Sequence, residues 1–174
     1  SDVSVGLLDN CINYQPIVTI KKAIILSEPD FIYFPDAGAM KRYESIIHKC
    51  CDKPVLHGNK IRDWSTGEIE GLEIVGGKIL KTMIHPKVLM IDDICAYGGT
   101  MYYSAKALKD AGAGDIDMYV THCEDSILDR NKGKIFTDER LIETVYTTDS
   151  ILTKKNANIF TFPAEQSMIA DCRI

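Results

Sequence analysis

The stretch Val88-Leu89-Met90-Ile91-Asp92-Asp93-Ile94-Cys95-Ala96-Tyr97-Gly98-Gly99-Thr100 constrains this chain more than any other. An unbroken apolar run of this kind suits a strand buried on both faces, as in a parallel sheet covered by helices. Two acids close the run, a short turn with paired glycines follows, and Thr100 stands where a helix begins. Glycines allow the backbone to come close to a phosphate, and a helix N-terminus offers amide donors and a favourable dipole. The Thr100 hydroxyl can donate to a phosphate oxygen, and Asp92 and Asp93 can accept from neighbouring sugar hydroxyls. A lone Gly-Gly-Thr is an ordinary turn, and acids beside it can be helix caps. Apolar strand, acid pair and glycine turn together read as a cradle for a phosphorylated ligand that carries free hydroxyls.

The rest of the chain alternates strand and helix signals. Ile17, Ile20, Ile24 and Ile25 recur near helical spacing, and Phe31 to Phe34 reads as a short buried strand stopped by Pro35 and Asp36. A helix is expected from Gly38 to about His48, and a short strand at Val55-Leu56. Gly58 to Gly67 is polar and aperiodic around Trp64, and reads as a mobile loop at the base of a hairpin returning through Leu72 to Val75. A helix from Gly99 to Ala111 is expected to end at Gly112, where a C-terminal cap belongs. Ile116 to Val120 reads as a strand, Glu124 to Asn131 as a helix, and Val145 and Asn158 to Phe162 as the last strands. Such alternation predicts a doubly wound, mostly parallel sheet, with ligands at the carboxyl ends of its strands. The loops Asp36–Arg42, Gly58–Gly67 and Asp92–Thr100 fall at or near those ends.

Composition narrows the functional classes. At 174 residues, with 45% hydrophobic and 26% charged residues, the chain has the size and make-up of one globular domain. A net charge of −5 speaks against nucleic acid or an acidic membrane as partner. No apolar run reaches membrane-spanning length and no secretory leader is visible, so a cytoplasmic location is expected. Cys11, Cys50, Cys51, Cys95, Cys123 and Cys172 form no CxxC pair and read as reduced thiols. His122 and Cys123 are strand neighbours whose side chains should point to opposite faces. Lys132 and Lys134 read as a solvated turn, Trp64, Tyr102 and Tyr103 as packing groups, and the remaining histidines are too dispersed for a metal set.

The order and spacing of several stretches resemble the type I phosphoribosyltransferase superfamily. The resemblance is closer to the carboxyl-terminal half of the ribose-phosphate pyrophosphokinase, or phosphoribosyl pyrophosphate (PRPP) synthetase, family. Phe34-Pro35-Asp36-Ala37-Gly38-Ala39-Met40-Lys41-Arg42 looks like that family's pyrophosphate-side loop. Lys60-Ile61-Arg62 falls where the family carries a Lys-x-Arg pair on a flexible catalytic loop. Ala111-Gly112-Ala113, followed by Val120-Thr121-His122, is similar to the strand after the binding helix. Thr147 to Ile151 resembles the Thr-Asn-Thr-Ile segment. Ser1 to Asp9, ending Gly6-Leu7-Leu8-Asp9, resembles the stretch just after the family's metal-binding histidine.

That resemblance implies a single phosphoribosyltransferase-type domain over residues 1–174, the C-terminal half of a longer two-domain protein whose ATP-binding half lies elsewhere. It implies that Asp92, Asp93, Ala96, Tyr97, Gly98, Gly99 and Thr100 bind ribose 5-phosphate. Asp36 would hold a magnesium ion (Mg2+), and Ala37, Gly38 and Arg42 would lie near the pyrophosphate. Lys60 and Arg62 would be catalytic, neutralising charge as a pyrophosphoryl group passes from ATP to the sugar's C1 hydroxyl. This half alone is then expected to bind without turning over, and self-association into a homo-oligomer is implied too. Where the synthetases usually carry Asp-Thr before Gly-Gly-Thr, this chain has Ala96-Tyr97. That substitution keeps two other readings open, a transferase joining PRPP to a nucleobase and a catalytically silent phosphosugar-binding subunit.

Overall fold

The computed structural model describes residues 15–62, 69–136 and 140–164, with the side chains of 60–62 and 69–71 left out. The Ser1–Asp9 match, Trp64, Cys11 and Cys172 lie outside the described residues. The first helix, α1 (Ile17–Ser27), buries Thr19, Ile20, Ala23, Ile24 and Ser27 along one stripe. Strand β1 (Phe31–Phe34) leads to α2 (Ala37–Cys50). The hairpin β2 (Val55–Arg62) and β3 (Ile69–Val75) follows, then a short 3-10 turn at Gly77–Thr82. Strand β4 (Val88–Cys95), helix α3 (Gly99–Ala111) and strand β5 (Ile116–Cys123) form the centre. Strands β6 (Val145–Thr148) and β7 (Ile159–Phe162) complete the sheet.

The strands make one seven-stranded sheet in the order β3-β2-β1-β4-β5-β6-β7. Every pairing is parallel except β2 with β3. Strand period decides the layering. On β1 and β4, Phe31, Tyr33, Val88 and Met90 enter the core shared with Met101, Ala105 and Leu108 of α3. Their alternates Ile32, Phe34, Leu89 and Ile91 enter a second core with Ile20 and Ile24 of α1 and Tyr43, Ile46 and Ile47 of α2. A sheet covered on both faces is what the unbroken apolar runs called for, and it is the expected twisted, mainly parallel architecture. Among the described residues, no helix is long and apolar enough to cross a membrane.

Several boundaries differ from expectation. Val88 to Ile91 continues to Cys95 and Ile116 to Val120 continues to Cys123, because β4 and β5 stay paired to their ends. Asp92 and Asp93 therefore sit on the strand, not after it. Val55-Leu56 extends to Arg62, since the first part of the expected loop Gly58–Gly67 pairs with β3, from Gly58 opposite Ile74 to Arg62 opposite Ile69. The expected helix at Glu124 to Asn131 shrinks to a 3-10 turn at Asp125–Leu128. The Asp129 carboxylate then accepts the N–H groups of Asn131 (2.8 Å) and Lys132 (2.9 Å), a local alternative to continuing the helix.

Asp117, 1% exposed at the start of β5, ties together the amino ends of the strands. Ser27 Oγ donates to it at 2.7 Å, the Thr144 N–H at 3.1 Å, and Lys87 Nζ lies 3.1 Å away. A buried carboxylate without such partners would be costly. Asp117→Ala is expected to lower stability by about 2 kcal/mol, because Lys87 is partly exposed and can recover water. Thermal unfolding should show this as a fall of roughly 4–8 °C.

Candidate functional site

β1 and β4 are adjacent at the middle of the sheet, with the following strands laid down in opposite directions from them. A doubly wound sheet opens a crevice at such a switch point. Four charged groups meet there. Asp36, at the end of β1, caps α2 by accepting the Ala39 N–H at 2.9 Å. Arg42, one turn further along α2, reaches across to β4. Its Nη2 lies 3.4 Å from Asp92 Oδ1 and 3.2 Å from Asp93 Oδ2. The Arg42 side chain is half exposed, so these contacts add little stability of their own, at most about 1 kcal/mol. Their value is positional.

Asp92 is the more enclosed acid, and burial pushes its carboxyl up to about 6, with Asp93 and Asp36 adding like charge. Its Oδ1 accepts the Asp93 N–H at 2.8 Å, which partly offsets the burial. The acids hold hydrogen-bond acceptors at the strand end, with Asp92 raised by burial to about 6.

Beyond Cys95 the chain turns through Ala96 and Tyr97 into Gly98, which has φ +81. Gly98 is the N-cap of α3, and no side chain caps that helix. The Tyr102 N–H donates to Gly98 O at 2.9 Å, while Thr100 is exposed on the first turn. A Cβ at Gly98 would fall 2.4 Å from Ile135 Cγ1, whereas one at Gly99 would meet nothing within 4 Å. Of the two glycines, Gly99 faces the open side and Gly98 is packed against protein.

The packing comes from a segment that sequence reading took for the end of a helix and a solvated turn. Residues 129–135 fold back as a strap on the glycine turn. The Lys134 N–H donates to Tyr97 O at 2.8 Å, Lys132 Nζ stands 5.8 Å from the Tyr97 ring centroid, and Ile135 is buried against Gly98. The solvated turn expected at Lys132 and Lys134 is present, with both lysines exposed, and it also carries the buried Ile135 onto the glycine turn. The apolar pair Ile135-Phe136 in a polar stretch was the available signal, together with Gly133, whose Cβ would lie 2.6 Å from Asp129 O.

The other expected site residues are distributed as follows. Gly38, on the first turn of α2, has room for a Cβ only 3.1 Å from Asp36 Oδ1. Lys60 and Arg62 lie on β2, beyond the last register partner of β1 (Phe34 with His57). At about 3.3 Å per residue, Lys60 is roughly 10 Å past the end of β1, on the same edge of the sheet as the acids. Their side chains lie outside the described residues. His122 and Cys123 do point apart: His122 is exposed with Nδ1 2.8 Å from Ser150 Oγ, and Cys123 is fully buried. Tyr103 is 61% exposed and meets Tyr102 edge to face, so it packs less than expected. Thr148, at the end of β6, donates to Thr121 O at 2.6 Å and joins the Thr147–Ile151 segment to β5.

A central switch point, an acid pair and a glycine turn opening an uncapped helix place the fold in the phosphoribosyltransferase-type class. Its likeness to solved structures agrees. A phosphoribosylpyrophosphate synthetase from Mycobacterium smegmatis superposes with a TM-score of 0.70 at 15% identity, covering 99% of this chain and 54% of that one. An adenine phosphoribosyltransferase from Thermoanaerobacter pseudethanolicus gives 0.51 at 17% identity, covering 79% and 77%.

In sequence, the chain is a relative of the ribose-phosphate pyrophosphokinases. It is 33% identical over 141 residues to the one from Bradyrhizobium diazoefficiens and 27% identical over 134 residues to the one from Hyphomonas neptunium. These matches cover 79% and 76% of this chain but 41% of each relative, so the chain spans about two fifths of their length. No protein-family model matches it.

Proposed function

We propose that this chain supplies the sugar-phosphate side of a ribose-phosphate pyrophosphokinase-like site. The observation that carries the reading is the convergence of Asp36, Arg42, Asp92 and Asp93 at the switch point, beside the open face of Gly99. In this reading the N-terminus of α3 and the Thr100 hydroxyl take the 5-phosphate, with Ala96 to Gly99 shaping the approach. Asp92 and Asp93 accept from the ribose hydroxyls, releasing Arg42 toward the pyrophosphate with Ala37 and Gly38. Binding thus exchanges one set of charge-assisted contacts for another.

The reaction of the complete site is attack of the sugar's C1 oxygen on the β-phosphorus of ATP. AMP leaves, and the hydroxyl proton passes to solvent or a nearby acceptor. Such transfers depend on positioning and cations more than on covalent chemistry. Lys60 and Arg62 are assigned the neutralising role, and the ATP-binding portion is assigned to a part of the protein outside this chain. Among the described residues, no three His, Cys, Asp or Glu side chains are placed to hold a metal by themselves. Magnesium is commonly held by one or two carboxylates plus substrate oxygens, and Asp36 offers the hard oxygen such an ion takes. When bound, the ion would offset phosphate charge.

Calorimetric titration with ribose 5-phosphate tests the proposal. Binding at pH 7.5 should weaken about tenfold at pH 5, where a carboxyl titrating near 6 is mostly protonated. Asp92→Asn should flatten the part of this dependence that belongs to the protein, leaving the ligand's own phosphate ionisation. The sign for stability is opposite. The Asp92 value is raised on folding, so its contribution is full below about pH 4 and is lost as pH rises through 6. Binding of PRPP alone would shift the assignment to base transfer. Failure of both ligands at every pH would count against every reading in which this chain by itself binds a phosphosugar.

A further inference from the structure

Cys95 and Cys123 close β4 and β5 as register partners on neighbouring parallel strands. Both are free thiols, 4% and 0% exposed. Adjacent strands run about 4.7–4.9 Å apart, inside the roughly 4.4–6.8 Å Cα separation that disulfides span. That spacing puts the two Cα atoms within the range a disulfide spans. Each thiol has a backbone acceptor beside it: Cys95 Sγ donates to Ala96 O and Cys123 Sγ to Glu124 O, both at 3.8 Å. The neighbouring Cys123 side chain, with burial, pushes the Cys95 thiol well up, and the neighbouring Cys95 side chain holds the Cys123 thiol below its ordinary value.

We propose that Cys95 and Cys123 form a reversible dithiol–disulfide site, oxidised by a small peroxide, whose bridging disables the Ala96–Thr100 turn. The chemistry balances with hydrogen peroxide as oxidant. The Cys123 thiolate attacks one peroxide oxygen, the O–O bond breaks, and one proton is taken up, giving a sulfenic acid and water. The Cys95 sulfur then attacks the Cys123 sulfur; the S–O bond breaks and its oxygen leaves as water with the Cys95 proton. Two thiols are oxidised by two electrons and one peroxide is reduced to two waters.

The coupling to the turn is geometric. Cys95 immediately precedes the turn, and its Sγ lies 3.7 Å from where a Gly98 Cβ would stand, on the floor beneath Gly98. A bridge shortens a sulfur–sulfur contact to about 2 Å and draws Cys95 off that floor toward β5. Gly98 and Ile135 lose a packing surface, and the helix start they hold shifts with them. The effect on ligand rests on the sugar-phosphate assignment above, whereas the bridge does not.

The full chain would be treated with hydrogen peroxide and digested without reduction, and joined peptides identified by mass. Expected are a Cys95–Cys123 linkage with loss of 2 Da, at least a tenfold change in amide exchange at Tyr97 to Met101, and a tenfold loss of ribose 5-phosphate affinity. Dithiothreitol should restore all three, and Cys123→Ser should resist all three. Oxidation confined to Cys50 or Cys51, with Cys95 and Cys123 left as thiols, overturns the site. A bridge that leaves amide exchange unchanged overturns the coupling. If the reduced chain fails to bind the sugar phosphate, that counts against the functional assignment alone, and mass and exchange still decide the bridge.

Discussion

Gly98→Val is expected to remove ribose 5-phosphate binding and to destabilise the fold by about 4 kcal/mol. Two costs add. A β-branched residue at φ +81 is strained wherever it occurs, by roughly 1–3 kcal/mol. Its Cβ would also stand 2.4 and 2.6 Å from Ile135 Cγ1 and Cδ1, and Ile135 is buried with little freedom to retreat. Thermal unfolding should fall by roughly 8–16 °C. Lost binding in this variant reports on the strap as much as on the phosphate. Gly99→Ala is the informative partner, because a methyl there meets no protein atom within 4 Å. It should leave the unfolding temperature within about 2 °C of the parent while weakening ribose 5-phosphate roughly tenfold, if the open face of Gly99 is where the phosphate comes close. Equal affinity for Gly99→Ala and the parent would move the phosphate elsewhere.

Gly58→Ala is the second large effect, expected to cost about 3 kcal/mol. Gly58 has no need of a positive φ. Its constraint is a close crossing, where an added Cβ would lie 2.4 Å from Tyr33 Oη and 2.6 Å from Pro35 O. Pro35 O is backbone at the mouth of the site, and Tyr33 is fully buried with its hydroxyl donating to Ser104 at 3.3 Å. Neither can yield without moving β1 or α3. The variant should unfold roughly 6–12 °C lower and bind more weakly, since Asp36 follows Pro35 directly. A melting curve superposable on the parent's would show that β2 passes further from β1 than described.

How much of this was legible in the sequence follows from which interactions are local. The runs Phe31–Phe34 and Val88–Ile91, Gly112 at the end of α3 and the glycine turn were readable, because period and punctuation are written in consecutive residues. The position of Gly112, at φ +106, is a local conformational demand that only glycine meets at low cost. The helix expected at Glu124 was not realised because Asp129 offers its own carboxylate to the backbone, a competition that periodicity does not register. Strand β2 hid behind polar residues, since a hairpin arm is held by its pairing and needs no apolar run. At the site, Asp36, Arg42, Asp92 and Asp93 could each be named from motif resemblance. That one guanidinium joins both acids is a tertiary fact.

The strap over the glycine turn has a consequence for how portable this loop is. A phosphate loop is often treated as a cassette, complete in its own short run of residues. Here part of the mould of the glycine turn, the phosphate loop of the proposed reading, is supplied by Lys134 and Ile135, far downstream in the chain. Grafting Asp92 to Thr100 onto another strand–helix junction would carry the amino acids without the surface that shapes them. A faithful transplant has to bring residues 129–135 along, with the strand that delivers them.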